Sequence, residues 1–257
     1  MLQLTRQHGN FGYSLGVNGI YTTSRIEERI EPAYPNDYQY RAGHPIGQFF
    51  GLEANGFLTQ EDIDNPQTPT YTFIQVRPGD VKYVDQNLDG LIDSNDEIAI
   101  GGTSAPTLYY GINFGFQYRS ISINGLFQGM GGKEIQINSL SGPIGKQAQI
   151  SEYVMNRWTP DNQANAEYPR LTTLDNSNNY RFSSLWLRSG DYIKLRSVEL
   201  AYDFPSAKLA PFRISSFKVF VQGMNLLTFS KIKNLDPENL TGYPSLRSYS
   251  AGIRLQF

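Results

Sequence analysis

The segment Asp85-Gln86-Asn87-Leu88-Asp89-Gly90-Leu91-Ile92-Asp93-Ser94-Asn95-Asp96 gathers many hard oxygen donors in a short stretch. It fits the pattern D-x-[DN]-x-[DN]-G, in which Asp85, Asn87, Asp89, Asp93 and the Leu91 carbonyl stand at positions that wrap Ca2+ and Gly90 supplies the turn. Asp96 occupies the final ligand position, where Glu is usual, and its shorter side chain reaches less easily for bidentate coordination. Helices are not expected on either side, because Pro78-Gly79-Asp80 precedes the loop and Glu97-Ile98-Ala99-Ile100-Gly101 follows it. The spacing thus raises a structural Ca2+ site on Asp85, Asn87, Asp89, Leu91, Asp93 and Asp96. The alternative is an Asx-rich turn whose side chains bond their own backbone.

Other chemistry is sparse. His8 and His44 are the only histidines, and neither sits in a nucleophile, zinc or acid–base motif. With 24 acidic residues, carboxylates can be paired on paper anywhere, so no catalytic residue is assigned and an enzyme is not expected. Tyr34, Tyr38, Tyr71, Trp158, Tyr168, Tyr180 and Trp186 have the ring faces to stack on sugars, but packing within loops or placement at a membrane interface is the better explanation for any one of them. The absence of cysteine removes disulfide and thiol chemistry. A net charge of −2 offers no field for nucleic acid.

The elements that must position these groups are strands. Aromatics make up 13% of the 257 residues and glycine numbers 24, a composition that suits many strands joined by polar loops. No apolar run is long enough for a membrane-spanning helix, which leaves a β-barrel open, since barrel strands need only about 9–11 alternating residues. Phe11 to Tyr21 alternates, and Tyr38 to Gly51 is a weaker strand candidate. Leu52 to Pro106 reads as loop. Leu108 to Tyr118 and Ile121 to Gln128 form a hairpin about Arg119-Ser120. Tyr110, Ile112, Phe114 and Phe116 take one face of it, outward, and Asn113 and Gln117 the other, inward. Gln147 to Trp158 reads as a short helix. Tyr192 to Phe204 changes phase midway, which a bulge near Ser197 reconciles. Phe217 to Phe229 and Tyr249 to Phe257 complete the set.

Short connections at Ser24–Asp37, Arg119–Ser120 and Pro205–Ser215 alternate with long ones at Leu52–Pro106, Gly129–Leu185 and Ser230–Leu246. Outer-membrane barrels join strands by short periplasmic turns and long extracellular loops, so the alternation places the long loops outside. Tyr249, Ala251, Ile253, Leu255 and Phe257 alternate up to the final residue and resemble the C-terminal assembly signal of such barrels. The first residues, Met1 to His8, lack the layout of a secretory signal peptide. The expectation is an all-β antiparallel barrel fragment, the last six or seven strands of a longer chain.

Specific motifs name a family. Gly43-His44-Pro45-Ile46-Gly47-Gln48-Phe49-Phe50-Gly51, Pro78-Gly79-Asp80-Val81-Lys82-Tyr83, Arg157-Trp158-Thr159-Pro160-Asp161-Asn162, Tyr168-Pro169-Arg170-Leu171, Tyr192-Ile193-Lys194-Leu195-Arg196, Gly223-Met224-Asn225-Leu226, Asp236-Pro237-Glu238 and Tyr243-Pro244 occur in this order. Together they resemble the C-terminal third of SusC/RagA-family transporters, over essentially the whole chain. The resemblance implies a TonB-dependent importer in the outer membrane, about 22-stranded with a plugged lumen. It also implies a SusD-like lipoprotein partner, energy from the TonB complex, an oligosaccharide or peptide as cargo and outer-membrane lipid around the wall. The plug and TonB box that the family possesses are not recognisable in these residues. A small passive porin-like barrel and a soluble, secreted calcium- and glycan-binding β module remain the competing readings.

Overall fold

A computed structural model describes residues 2–137, 155–205, 209–232, 235–240 and 242–257. Its strands, in chain order, are β1 (Leu2–His8), β2 (Phe11–Tyr21), β3 (Gln48–Gly51), β4 (Ala54–Phe57), β5 (Thr70–Tyr71), β6 (Val81–Tyr83), β7 (Leu91–Ile92), β8 (Ile98–Thr103), β9 (Leu108–Tyr118), β10 (Ile121–Gly131), β11 (Glu134–Gln136), β12 (Leu187–Ser189), β13 (Tyr192–Asp203), β14 (Ser216–Ser230) and β15 (Ser248–Gln256). They fall in two compact units, one of Met1–Thr23, Pro106–Lys133 and Ser189–Phe257, the other of Ser24–Ala105 and Glu134–Arg188.

The first unit is a seven-stranded antiparallel sheet in the order β1-β2-β9-β10-β13-β14-β15. Each strand pairs with the next sheet strand along the chain, which makes a meander. Gly9-Asn10 and Arg119-Ser120 close tight hairpins, and β13 passes to β14 through residues 204–215. The other connections, 22–107, 132–191 and 231–247, all leave from the opposite end. The alternation of short and long connections therefore holds, with two corrections. Ser24–Asp37 is not a turn between sheet strands but part of the long connection from β2 to β9, and the short turn lies earlier, after a strand β1 that the sequence reading passed over. Tyr38 to Gly51 adds no sheet strand either, since only Gln48–Gly51 is extended and it pairs with β8 in the second unit.

The phase change in β13 is a bulge, as its pattern requires. Against β10 the register jumps so that Phe127 faces Leu195 and Leu126 faces Ser197, leaving Arg196 over. The neighbouring strand β14 accommodates the same place with Asn225 in the left-handed region, at φ 54°. Ile193 and Leu195 before the bulge thereby share a face with Val198, Leu200 and Tyr202 after it. Two glycines make room for rings across the hairpin: a Cβ on Gly125 would stand 2.3 Å from the Phe114 ring, and one on Gly129 would stand 2.4 Å from the Tyr110 ring. Small residues opposite large aromatics keep a crowded sheet face flat.

The second unit folds about its own core, where Leu52, Leu58, Tyr71, Val81, Tyr83 and Ile92 are buried and Phe57, Ile63, Phe73 and Leu185 pack against them. The stretch from Leu52 to Pro106, read as loop, thus holds short strands and a core too irregular to show a period. The helix expected over Gln147–Trp158 lies mostly outside the described residues. At the unit's centre Asp80 is fully buried, with Arg170 Nε at 2.7 Å from its Oδ1. Asn176 and Asn179 donate their side-chain amides to the same oxygen, at 3.0 and 2.9 Å, and the Arg77 N–H donates to Oδ2 at 2.8 Å. Asn179 in turn accepts from the Val81 N–H, and its carbonyl accepts from the Trp186 indole. Gly79, at φ 86°, is held so close under Trp158 that a Cβ would lie 2.4 Å from the ring.

A buried charge is tolerated when it is paired and its remaining lone pairs are bonded, and removing one partner leaves the other stranded. Asp80→Ala should therefore cost the second unit about 3–5 kcal/mol. Hydrogen exchange over residues 52–84 should rise in the full-length protein, while protection in the seven-stranded sheet stays unchanged.

Candidate functional site

The functional surface is the sheet itself, and its two faces differ in kind. Cross-strand partners share a face, so the register groups Leu4 with Leu15 and Phe114, and Phe116 with Ile123, Leu200 and Val221. Ala251, Ile253 and Leu255 continue this face onto β15. Its large apolar side chains stand in the open: Leu15, Phe116, Ile121, Leu200 and Val221 are all exposed, Val221 by 54% and Ile253 by 64%. Tyr110, Ile112, Phe114 and Phe116 belong to it, as their alternation indicates.

The other face carries Thr5, Gln7, Ser14, Asn18, Asn113, Gln117, Ser122, Asn124, Gln128, Lys194, Glu199, Asp203, Lys218 and Gln222. Hydroxyls, amides and charges of both signs give it hydrogen-bonding capacity for a polar solute. Thr5, Gln7, Ser14, Gln117, Ser122 and Asn124 line a concavity of about 260 Å³ on it. Asn18, Asn113 and Gln128, with Ile20, Tyr109 and Leu126, line another of about 330 Å³.

Near the long-connection end, this polar face holds the last connection by charge. Lys194, 1% exposed, directs Nζ to Asp236 Oδ1 at 2.6 Å, to Glu238 Oε2 at 3.0 Å and to Ser245 Oγ at 3.2 Å. Arg196, pushed out by the bulge, makes two bonds to Glu238, at 2.7 and 3.1 Å, and donates to Asn225 and Gln128. The Tyr192 hydroxyl lies 3.2 Å from Glu238 Oε1. This network explains the motifs Asp236-Pro237-Glu238 and Tyr192-Ile193-Lys194-Leu195-Arg196, whose spacing in sequence gave no sign that they meet. For Asp236, burial works to raise the pKa, but hydrogen bonds from Lys194 and Ser245 outweigh it and hold the carboxyl well below its usual range. The Arg196 bonds hold Glu238 down to about 2, against burial and with help from Lys194.

In the Asp-rich loop the acidic side chains bond the backbone of the turn itself. Asp96, fully buried, spends one oxygen on the Gln86 N–H and the other on the Asp93 N–H, at 2.8 and 2.9 Å. It is one half of a capping box with Asp93, whose carboxylate accepts from the Asn95 N–H at 2.6 Å. Asp85 accepts from the Gly90 N–H, Asn87 from the Asp89 N–H and Asp89 from the Leu91 N–H. Burial raises the pKa of Asp96 although two backbone N–H groups favour its charge. Among the described residues, no three carboxylates or imidazoles converge as a metal would need. Of the set Asp85, Asn87, Asp89, Leu91, Asp93 and Asp96, the carboxylates and the Asn87 amide oxygen accept backbone N–H groups of the turn itself, while Asp85 Oδ1 is buried without a hydrogen-bond partner.

The loop aromatics are taken up in packing. Trp186 is buried, stacked at 18° on Tyr180 and 6.0 Å from Tyr168. The Tyr71 hydroxyl oxygen accepts the Tyr83 N–H, the Tyr38 hydroxyl donates to the Asn95 carbonyl, and Tyr34 meets Tyr40 edge-on. His44 packs edge-on against Phe50. Tyr249, Ala251, Ile253, Leu255 and Phe257 lie in line at the end of β15, with Phe257 85% exposed.

Comparison with known proteins agrees with this architecture. No family model matches the chain. It is 26% identical over 239 residues to TonB-dependent receptor P26 of Formosa agariphila and 25% identical over 234 residues to TonB-dependent receptor P3 of the same organism, in each case over 84% of this chain and 23% of the relative. The chain thus spans less than a quarter of the length of these relatives. Among solved structures, the RagAB peptide importer in its open-open state superposes with a TM-score of 0.72 at 20% identity, over 99% of this chain and 28% of that one. A second structure of the RagAB peptide transporter gives a TM-score of 0.72 at 21% identity. The chain is therefore similar in sequence to TonB-dependent receptors and in fold to RagAB, in line with the resemblance carried by the motifs.

A group whose folded pKa is depressed contributes stability that is complete above its ordinary pKa and is lost as pH falls through the folded value. The Lys194–Asp236–Glu238 contacts should thus be intact above the ordinary Glu value of 4.5 and open as pH falls toward about 2. Lys194→Met, which strands Asp236, should open them at neutral pH. Cross-linking of the connection 231–247 to β13 in the full-length protein measures both.

Proposed function

We propose that this chain forms part of the wall of a TonB-dependent outer-membrane importer, with its apolar face toward lipid and its polar face lining the path of an oligosaccharide or peptide. The observation that carries the reading is the seven-stranded meander with one apolar, exposed face and one polar face. In water such a face has no reason to stay open. In a bilayer it is the surface a barrel presents. A β-sandwich module would cover it with a second sheet, and among the described residues none lies on it. A small self-contained barrel would pair its outermost strands, whereas β1 and β15 are not neighbours.

The long connections then belong on the extracellular side and the C-terminus on the periplasmic side. Energy from TonB, which the names of the relatives in sequence support, and capture of cargo with a SusD-like lipoprotein, which the motif resemblance implies, complete the proposal. The peptide cargo named for RagAB favours a peptide as much as a glycan. On this reading Tyr249, Ala251, Ile253, Leu255 and Phe257 act as the signal read during barrel insertion.

An arginine on the lipid face near the bilayer midplane costs about 2–4 kcal/mol, and one on the lumen face much less. In the full-length protein, Phe114→Arg should cut the amount recovered in the outer-membrane fraction, and Asn113→Arg should leave it near wild type. Equal recovery of the two variants would remove the membrane reading. Deletion of the full-length gene should abolish growth on one glycan or peptide source, and growth unimpaired on all of them would refute import.

A further inference from the structure

The apolar face of the sheet carries one permanently charged side chain among its described strand positions, Arg6 of β1. Its register partner on that face is Tyr13, beside Phe11 at a ring distance of 6.1 Å. Arg119, in the tight turn between β9 and β10, lies at the same end. Its N–H donates to the Asn10 carbonyl at 2.9 Å, which joins the two turns, and its guanidinium stands 5.4 Å from the centre of the Tyr118 ring. Tyr118 is the register partner of Phe11. Arg6 by its register and Arg119 by its guanidinium thus flank one aromatic group, Phe11, Tyr13 and Tyr118, at the short-turn end of the sheet.

Neither arginine forms an ion pair with a described residue. Asp203, at this end, faces the opposite side of the sheet by its register with Lys218 and takes Lys218 at 3.5 Å. An exposed arginine on an otherwise apolar face is costly in hydrocarbon unless its long stem carries the head to the interface and an anion meets it there. The planar guanidinium matches phosphate geometry in particular, and tyrosines at the same level are what a headgroup region favours.

We propose that Arg6 and Arg119 bind the phosphates of anionic phospholipids in the leaflet at the short-turn end, fixing the depth and tilt of this part of the wall. The proposal rests on the membrane reading above and commits to phospholipid, because the short turns of such barrels face the periplasm. The acyl chains lie along Leu4, Leu15 and Phe116, and the headgroup sits between the arginines and the tyrosine hydroxyls.

The test uses the full-length protein, purified from the outer membrane in mild detergent, stripped of lipid and mixed with equal amounts of phosphatidylglycerol and phosphatidylcholine. Native mass spectrometry should show phosphatidylglycerol retained in preference to phosphatidylcholine. Each of Arg6→Gln and Arg119→Gln should weaken that preference about fivefold, the effect of one cation at a charged lipid surface. Equal retention of the two lipids by wild type overturns the proposal, as does a preference that survives both substitutions together. A wild-type preference for lipid A phosphates over phosphatidylglycerol overturns it too, since it would place the site in the other leaflet. Absence of the wild-type protein from the outer-membrane fraction would instead defeat the membrane reading itself. Should the double variant fail to insert, the two single variants decide: a wild-type preference unchanged in both Arg6→Gln and Arg119→Gln overturns the proposal.

Discussion

Side chains alternate along a strand, so a slip of one residue exchanges the two faces of a sheet. Everything in the seven-stranded unit depends on that constraint. Its apolar side chains are on the correct side only if the register is kept across all seven strands, and the bulge at Arg196 and Asn225 is where the chain corrects it. Without that extra residue, Val198, Leu200 and Tyr202 would join the polar side and Glu199 would leave it. The bulge also has a chemical product, because the displaced Arg196 is the residue that grips Glu238.

The second unit answers a different requirement. Long connections have backbone donors and acceptors that must be bonded somewhere, and here short strands, a capped turn and a buried core satisfy them. Asp80 gathers residues from two connections onto one carboxylate. The acidic turn at Asp85–Asp96 does the same on a smaller scale, spending carboxylates on N–H groups.

Much of the sheet was legible in the sequence because alternation is a direct consequence of strand geometry. The bounds of β2 and β9, the Arg119-Ser120 turn and the bulge in β13 follow from it. Strand β1 escaped notice because Leu2 and Leu4 alternate with Gln3 and Thr5 for too few residues before Arg6. The short strands of the second unit carry no period at all, and only contacts distant in sequence create them. The site was less legible. Which face is polar could be read residue by residue, but that Lys194 meets Asp236 and Glu238 depends on the path of a connection. In the Asp-rich motif, spacing records where an oxygen sits along the chain, not which N–H group it accepts, so the buried position of Asp96 and its bonds to Gln86 and Asp93 could not be read from it.

The carboxylate of Asp80 comes from the connection between β2 and β9, while Arg170, Asn176 and Asn179 come from the connection between β10 and β13. With the β9–β10 hairpin between the two connections, these partners stand 90 to 99 positions from Asp80 in the chain. Closing so long a loop carries an entropic cost that local hairpins avoid. The partners of Asp80 come so much later in the chain that the acid has no local substitute for them, and the second unit therefore cannot complete its centre from its first segment alone.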